Sequence, residues 1–172
     1  NFFDKKSTEN KVQKIFSSKY KTKIEFTKET DVVPILKPIV EVANDTIIGN
    51  SKFVDVCITP QRKVHRIEIF TDTSNVFNSL KINGLKIKED GKYKFNNRKS
   101  NRLVTYYVSN NKPLELNLSF PKHQKIELVL YEASYDLLEN ELFEIPDRYA
   151  SMIPKPFVLN DAVVVKKTIH IP

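Results

Sequence analysis

Apolar and polar residues alternate with a period of two along much of this chain, the pattern of strands that bury one face. Ile24 and Phe26 alternate with Lys23 and Glu25. Pro34 and Pro38 bracket Ile35-Leu36, which predicts an edge segment, because proline cannot donate to a ladder. Val40 and Val42 alternate up to a turn predicted at Asn44-Asp45, and Val54, Val56 and Ile58 keep the same period until Pro60. Ile67 and Ile69 share one face of residues 64–70, with Arg66 and Glu68 on the other. Residues 77–82 lead into Asn83-Gly84, the pair that most favours a tight hairpin, and Leu85 and Ile87 continue beyond it. Asp90-Gly91 predicts a second tight turn. Residues 103–109, 114–118 and 126–130 supply three more strands, divided by Asn110-Asn111 and Pro121.

About eight short strands joined by turn signals predict an all-β chain, with antiparallel sheets packed as a β-sandwich. Two short helical segments are predicted beside them. Val12, Ile15 and Phe16 have helical spacing near the N-terminus, within residues 9–20. In residues 134–143, Asp136 and Glu139 have the spacing of a capping box. The predicted organisation is a basic lead-in over residues 1–20, then one sandwich domain over residues 21–172. Composition agrees with strands: 16 Val, 16 Ile and 10 Thr stand against four Ala, so β-branched residues replace the best helix former.

The net charge of +7 comes mostly from lysine, with only five Arg. Lysines alternate with acids and apolar residues, as in Leu85-Lys86-Ile87-Lys88-Glu89-Asp90, which describes a solvated surface. Arginine, whose planar fork reads bases, is scarce, so nucleic acid is not an expected partner. Residues 1–30 carry a net +4 and open on Phe2-Phe3-Asp4-Lys5-Lys6. An aromatic pair followed by lysines has the look of the edge of a membrane span, which would place this lead-in near a membrane surface; a frayed, polar N-terminus is the alternative reading.

A search for catalytic chemistry finds none. His65, His123 and His170 are isolated, no Gly-x-Ser-x-Gly elbow exists, and three glycines cannot build a phosphate loop. Cys57 is the one cysteine and sits within an apolar alternation. The expectation is a non-enzyme with no catalytic, cofactor-binding or metal-binding residues of its own.

The last third is more distinctive. Tyr131-Glu132-Ala133-Ser134-Tyr135-Asp136-Leu137-Leu138 precedes Pro146-Asp147-Arg148, and residues 152–169 form an apolar tail interrupted by Pro154, Pro156, Asn160 and Asp161. Prolines force an extended approach, and Asn160-Asp161 supply local turn hydrogen bonds. Met152, Ile153, Phe157, Val158, Leu159, Val163 and Val165 are too apolar for a solvated extension, so residues 148–169 are predicted to pack across the sandwich. Arg148 is predicted to pair with a carboxylate such as Asp136 or Glu132.

Residues 128–138 and 148–169 resemble the C-terminal soluble domain of the membrane-embedded zinc aminopeptidases, whose catalytic domain is like bacterial leucyl aminopeptidase and glutaminyl cyclase. The resemblance is greatest to the bacterial branch, and relatives include the vacuolar membrane protease and the endoplasmic-reticulum metallopeptidase. It implies a parent chain with an N-terminal di-zinc peptidase domain and several membrane spans, and an accessory, non-catalytic role for this domain. Zinc would belong to that peptidase domain, the partners would be the peptidase domain and spans of the same chain, and the side would be extracytoplasmic (periplasmic). The family-typical residues are Tyr131, Glu132, Ser134, Asp136, Arg148, Pro156, Phe157, Asn160 and Asp161. The competing reading is a stand-alone carbohydrate- or peptide-binding sandwich, prompted by Tyr106, Tyr107, Tyr131 and Tyr135.

Overall fold

The computed structural model describes residues 30–89, 95–154 and 159–171. The chain divides into two units, Asn1–Ile35 and Leu36–Pro172. In the first, the described residues 30–35 form no strand. Among its described residues the second holds nine strands: β1 Ile39–Ile48, β2 Ser51–Thr59, β3 Arg66–Phe70, β4 Ser79–Ile82, β5 Leu85–Lys86, β6 Arg102–Tyr107, β7 Leu114–Pro121, β8 Ile126–Ser134 and β9 Val163–Ile171. They form two antiparallel sheets, one in the order β1-β2-β7-β4-β5 and the other in the order β6-β3-β8-β9. The all-β architecture with two antiparallel sheets is as the alternation predicts.

The period of two shows why the sheets meet. Val54, Val56 and Ile58 of β2 and Leu114, Leu116, Leu118 and Phe120 of β7 lie on one face of the first sheet. Ile67 and Ile69 of β3 and Ile126, Leu128 and Leu130 of β8 lie on one face of the second. All of them join a single buried core, with Ile169 and Ile171 of β9 completing it. Each such side chain contributes roughly 1.5–3 kcal/mol on leaving water. Two hairpins fix register by turn chemistry. Asn83 and Gly84 both have positive φ (48° and 79°), as a type I′ turn demands, and pair Ile82 with Leu85. Gly49, with φ 61°, opens the two-residue loop that pairs Ile48 with Ser51.

Three local predictions need correction and three lie outside the described residues. The helix predicted over residues 134–143 does not form. Two turns replace it, closed by Glu139 N–H to Asp136 O at 3.1 Å and Phe143 N–H to Asn140 O at 2.9 Å. Side chains compete with the helical ladder there: Asn140 Nδ2 donates to Asp136 Oδ2 at 3.2 Å, and Leu142 N–H donates to Asn140 Oδ1 at 3.1 Å. The turn predicted at Asn44-Asp45 is a β-bulge inside β1, where Asn44 adopts φ 51° and the register shifts between Ala43 and Thr46. Ile35-Leu36 is not a strand; Ile35 N–H instead bonds Val33 O at 2.8 Å around Pro34. The predicted helix within residues 9–20, the alternation at Ile24 and Phe26 and the turn at Asp90-Gly91 lie outside the described residues.

Candidate functional site

The end of β8 carries the most concentrated polar chemistry. Glu132 and Ser134 continue the phase of Ile126, Leu128 and Leu130, so two polar side chains occupy positions that the alternation assigns to the core. Glu132 is completely buried, and Arg62, from the link between β2 and β3, brings its Nε to 3.1 Å from Glu132 Oε1. The approach is an ion contact rather than an aligned hydrogen bond, and it leaves both Glu132 oxygens without a hydrogen-bond donor. Burial therefore dominates and raises the Glu132 carboxyl to about 7, with the Arg62 charge opposing it. The same guanidinium donates to Ser134 Oγ and, at 3.4 Å, to the Glu132 carbonyl. Ser134 Oγ in turn donates to Asp136 Oδ1, whose other oxygen holds Asn140.

The same network roots the long loop that follows. Leu137 N–H donates to the Asp161 carbonyl at 3.1 Å, tying the start of the loop to the residue that precedes β9. Arg148 pairs with both carboxylate oxygens of Asp161, not with Asp136 or Glu132 as the sequence predicts. The reason is competition: Arg62 already holds Glu132, while Ser134 and Asn140 hold Asp136. Asp161, with φ 49°, thus uses its carbonyl for the long-range bond from Leu137, in place of the local turn bond predicted there, and its side chain for Arg148. Beyond the anchor, Tyr149, Met152 and Ile153 are 74%, 56% and 90% exposed. The predicted packing of the tail therefore holds for β9, where Val163, Ile169 and Ile171 are buried, and fails for Met152 and Ile153.

Of the other sequence candidates, Tyr131 points to the opposite face of β8, edge-on to Phe70 with ring centroids 5.3 Å apart. Asn160 is half-buried and engaged, and Pro156 and Phe157 lie outside the described residues. Sequence reasoning missed Arg62 and His65. A buried-phase glutamate in a strand calls for a cation, and with five Arg in the chain that signal was available. His65 Nδ1 accepts from Tyr135 N–H at 3.2 Å, with the two rings 5.0 Å apart.

A second feature lies on the first sheet. A hollow of about 540 Å³ opens over β1, β2 and β7, lined among others by Glu41, Asn44, Asp55, Cys57, Glu115 and Asn117. Asn117 Nδ2 donates to Asp55 Oδ1 at 2.7 Å and Asn44 Nδ2 donates to the other oxygen. These bonds, Asn117's first, hold the Asp55 carboxyl below the usual carboxylate range.

Neither region assembles a nucleophile, a base and an orienting group. In the first, each acid is committed to a neighbour, an arrangement suited to fastening a loop. Among the described residues there is no group of three His, Cys, Asp or Glu side chains placed to hold a metal ion. Comparison with protein-family models, curated proteins and solved structures found no match to this chain.

Proposed function

We propose that the chain is a non-catalytic accessory and docking domain of a membrane-anchored, zinc-dependent aminopeptidase-like hydrolase. The observation that carries the reading is the loop after Arg148. Its root is fastened by the Arg148–Asp161 pair, while Tyr149, Met152 and Ile153 stand in solvent. A disordered linker has no reason to be pinned in this way, and apolar side chains presented on an anchored loop suit contact with another body. The segment falls within the region that resembles the C-terminal domain of the membrane zinc aminopeptidases. On this reading the zinc belongs to the parent's peptidase domain, the docking partner is that domain, and the module sits on the extracytoplasmic side with its basic lead-in near the membrane surface.

The reading of the gene around this segment tests the parent. An upstream di-zinc peptidase domain with membrane spans is expected, and an open reading frame with neither would end the proposal. In the full-length protein, Ile153→Asp together with Tyr149→Ser should lower the stability of the peptidase domain or its activity and leave the melting of this module unchanged. An unaltered peptidase in that variant would show that the loop does not dock.

A further inference from the structure

The free edge of β1 is the strongest unassigned feature. β1 is ten residues long and, among the described residues, pairs only with β2. Edge strands are commonly blunted with lysine, proline or shortness. β1 has none of these; its protection is the bulge between Ala43 and Thr46 and the charges of Glu41 and Asp45. Residues 39–43 before the bulge keep regular register, and Ile39 and Val42 are exposed. Its charge is also anomalous. β1 carries Glu41 and Asp45 and no Lys or Arg, in a chain of net +7. The adjoining hollow adds Asp55 and Glu115 and is lined by no cationic side chain; Lys81, paired with Asn117, lies one strand further along that row.

We infer that residues 39–43 of β1 accept an extended peptide as an added strand, and that the peptide alternates cationic with apolar side chains. The alternation follows from the pleat. Side chains of the added strand in phase with Glu41 and Ala43 fall on the outer face, beside Glu41 and the hollow, where lysine or arginine is matched. Those in phase with Val40 and Val42 fall beside the inner, apolar row. A second copy of this chain is disfavoured, because β1 against β1 brings the Glu41 of each copy to the same edge; Asp45 is already paired with Lys52 Nζ at 2.9 Å. The inference gives a partner chemistry to the peptide-binding reading and does not rest on membership of a hydrolase.

The test is titration of the 172-residue protein with a capped alternating Lys–Val octapeptide, read by backbone amide shifts. A Glu–Val octapeptide and an N-methylated Lys–Val octapeptide, which keeps the charge and loses backbone donors, serve as controls. Only the unmethylated Lys–Val peptide should bind, with shifts centred on residues 39–43 and affinity falling as salt rises. Glu41→Lys with Glu115→Lys, both exposed, should weaken it by about tenfold or more with unchanged melting. The inference is overturned by absence of Lys–Val binding, by equal binding of either control, by undiminished affinity in the variant, or by sedimentation showing that a second copy occupies the edge.

Discussion

β7 and β8 follow one another across the short link of residues 122–125, yet they live in different surroundings. β7 lies in the interior of the first sheet, and its sequence Leu-Glu-Leu-Asn-Leu alternates strictly. Its leucines are buried, while Glu115 is exposed and Asn117 half-buried on a face open to solvent. β8 lies in the interior of the second sheet and reads Leu-Val-Leu-Tyr-Glu-Ala-Ser without a break. Every residue from Leu128 to Ser134 is buried, on both faces. Glu68 and Phe70 of β3 are buried on the same outer face as Val129 and Tyr131. Alternation in the sequence thus distinguishes a sheet with one dry face from a sheet with two.

Removing the strand that flanks β8 breaks the comparison most severely. Deleting residues 150–172 strips β9, which pairs with β8 along its whole length, and takes Val163, Ile169 and Ile171 out of the buried set. No cooperative thermal transition is expected; a truncated chain that melts where the intact one does would refute the view of β9 as part of this fold. Single substitutions on the outer faces probe the contrast itself. Tyr131→Ala should cost about 3–5 kcal/mol by denaturant unfolding, as for other large buried aromatics. Glu115→Ala on the open face should stay within about 0.5 kcal/mol. Equal costs would mean the two outer faces are alike.

A dependence on pH separates the two constrained carboxylates. Glu132 in the fold holds its proton up to about pH 7, against about 4.5 when unfolded. Between those values the folded state binds the extra proton, so stability falls as pH rises through that window and levels off above it. A shift of that size, the Arg62 charge already included in it, corresponds to at most about 3 kcal/mol across the window. Melting temperatures from pH 5 to pH 8, at values chosen on the order of the Glu132 window, should show that slope in the wild type and lose it in Glu132→Gln. Asp55 has the opposite sign: its carboxyl is held low by Asn117 and Asn44, so its contribution is present above the ordinary range and is lost as pH falls through it. A slope that persists in Glu132→Gln would place its origin elsewhere.

The strands were legible because their cause is local: a period of two in β2 and β7, and Asn83-Gly84 where both residues must take positive φ. The misreadings share a different cause. Residues 134–143 carry helical spacing, but the bond from Leu137 to Asp161 is made across the fold, and with the local hold of Asn140 on Asp136 it outweighs that spacing. At Asn44 the same residue type serves a turn or a bulge, and only pairing with β2 decides. The polar cluster was half legible. Glu132, Ser134 and Asp136 come from one stretch, whereas Arg62 lies 70 residues away from the Glu132 carbonyl it bonds, and nothing local announces that partnership.

The order of the strands also sets a speed. Apart from the pairs β1–β2 and β4–β5, ladders join segments remote in the chain: Val54 meets Leu118, Ile67 meets Glu132, Leu80 meets Leu118 and Ile126 meets Ile171. Such pairings close long loops before any contact rewards them, which places folding on the order of milliseconds to seconds. The short link of residues 122–125 sits at the junction, since it joins an interior strand of each sheet. Once β7 and β8 have formed on either side of that link, β2, β4, β3 and β9 each have a template strand beside them.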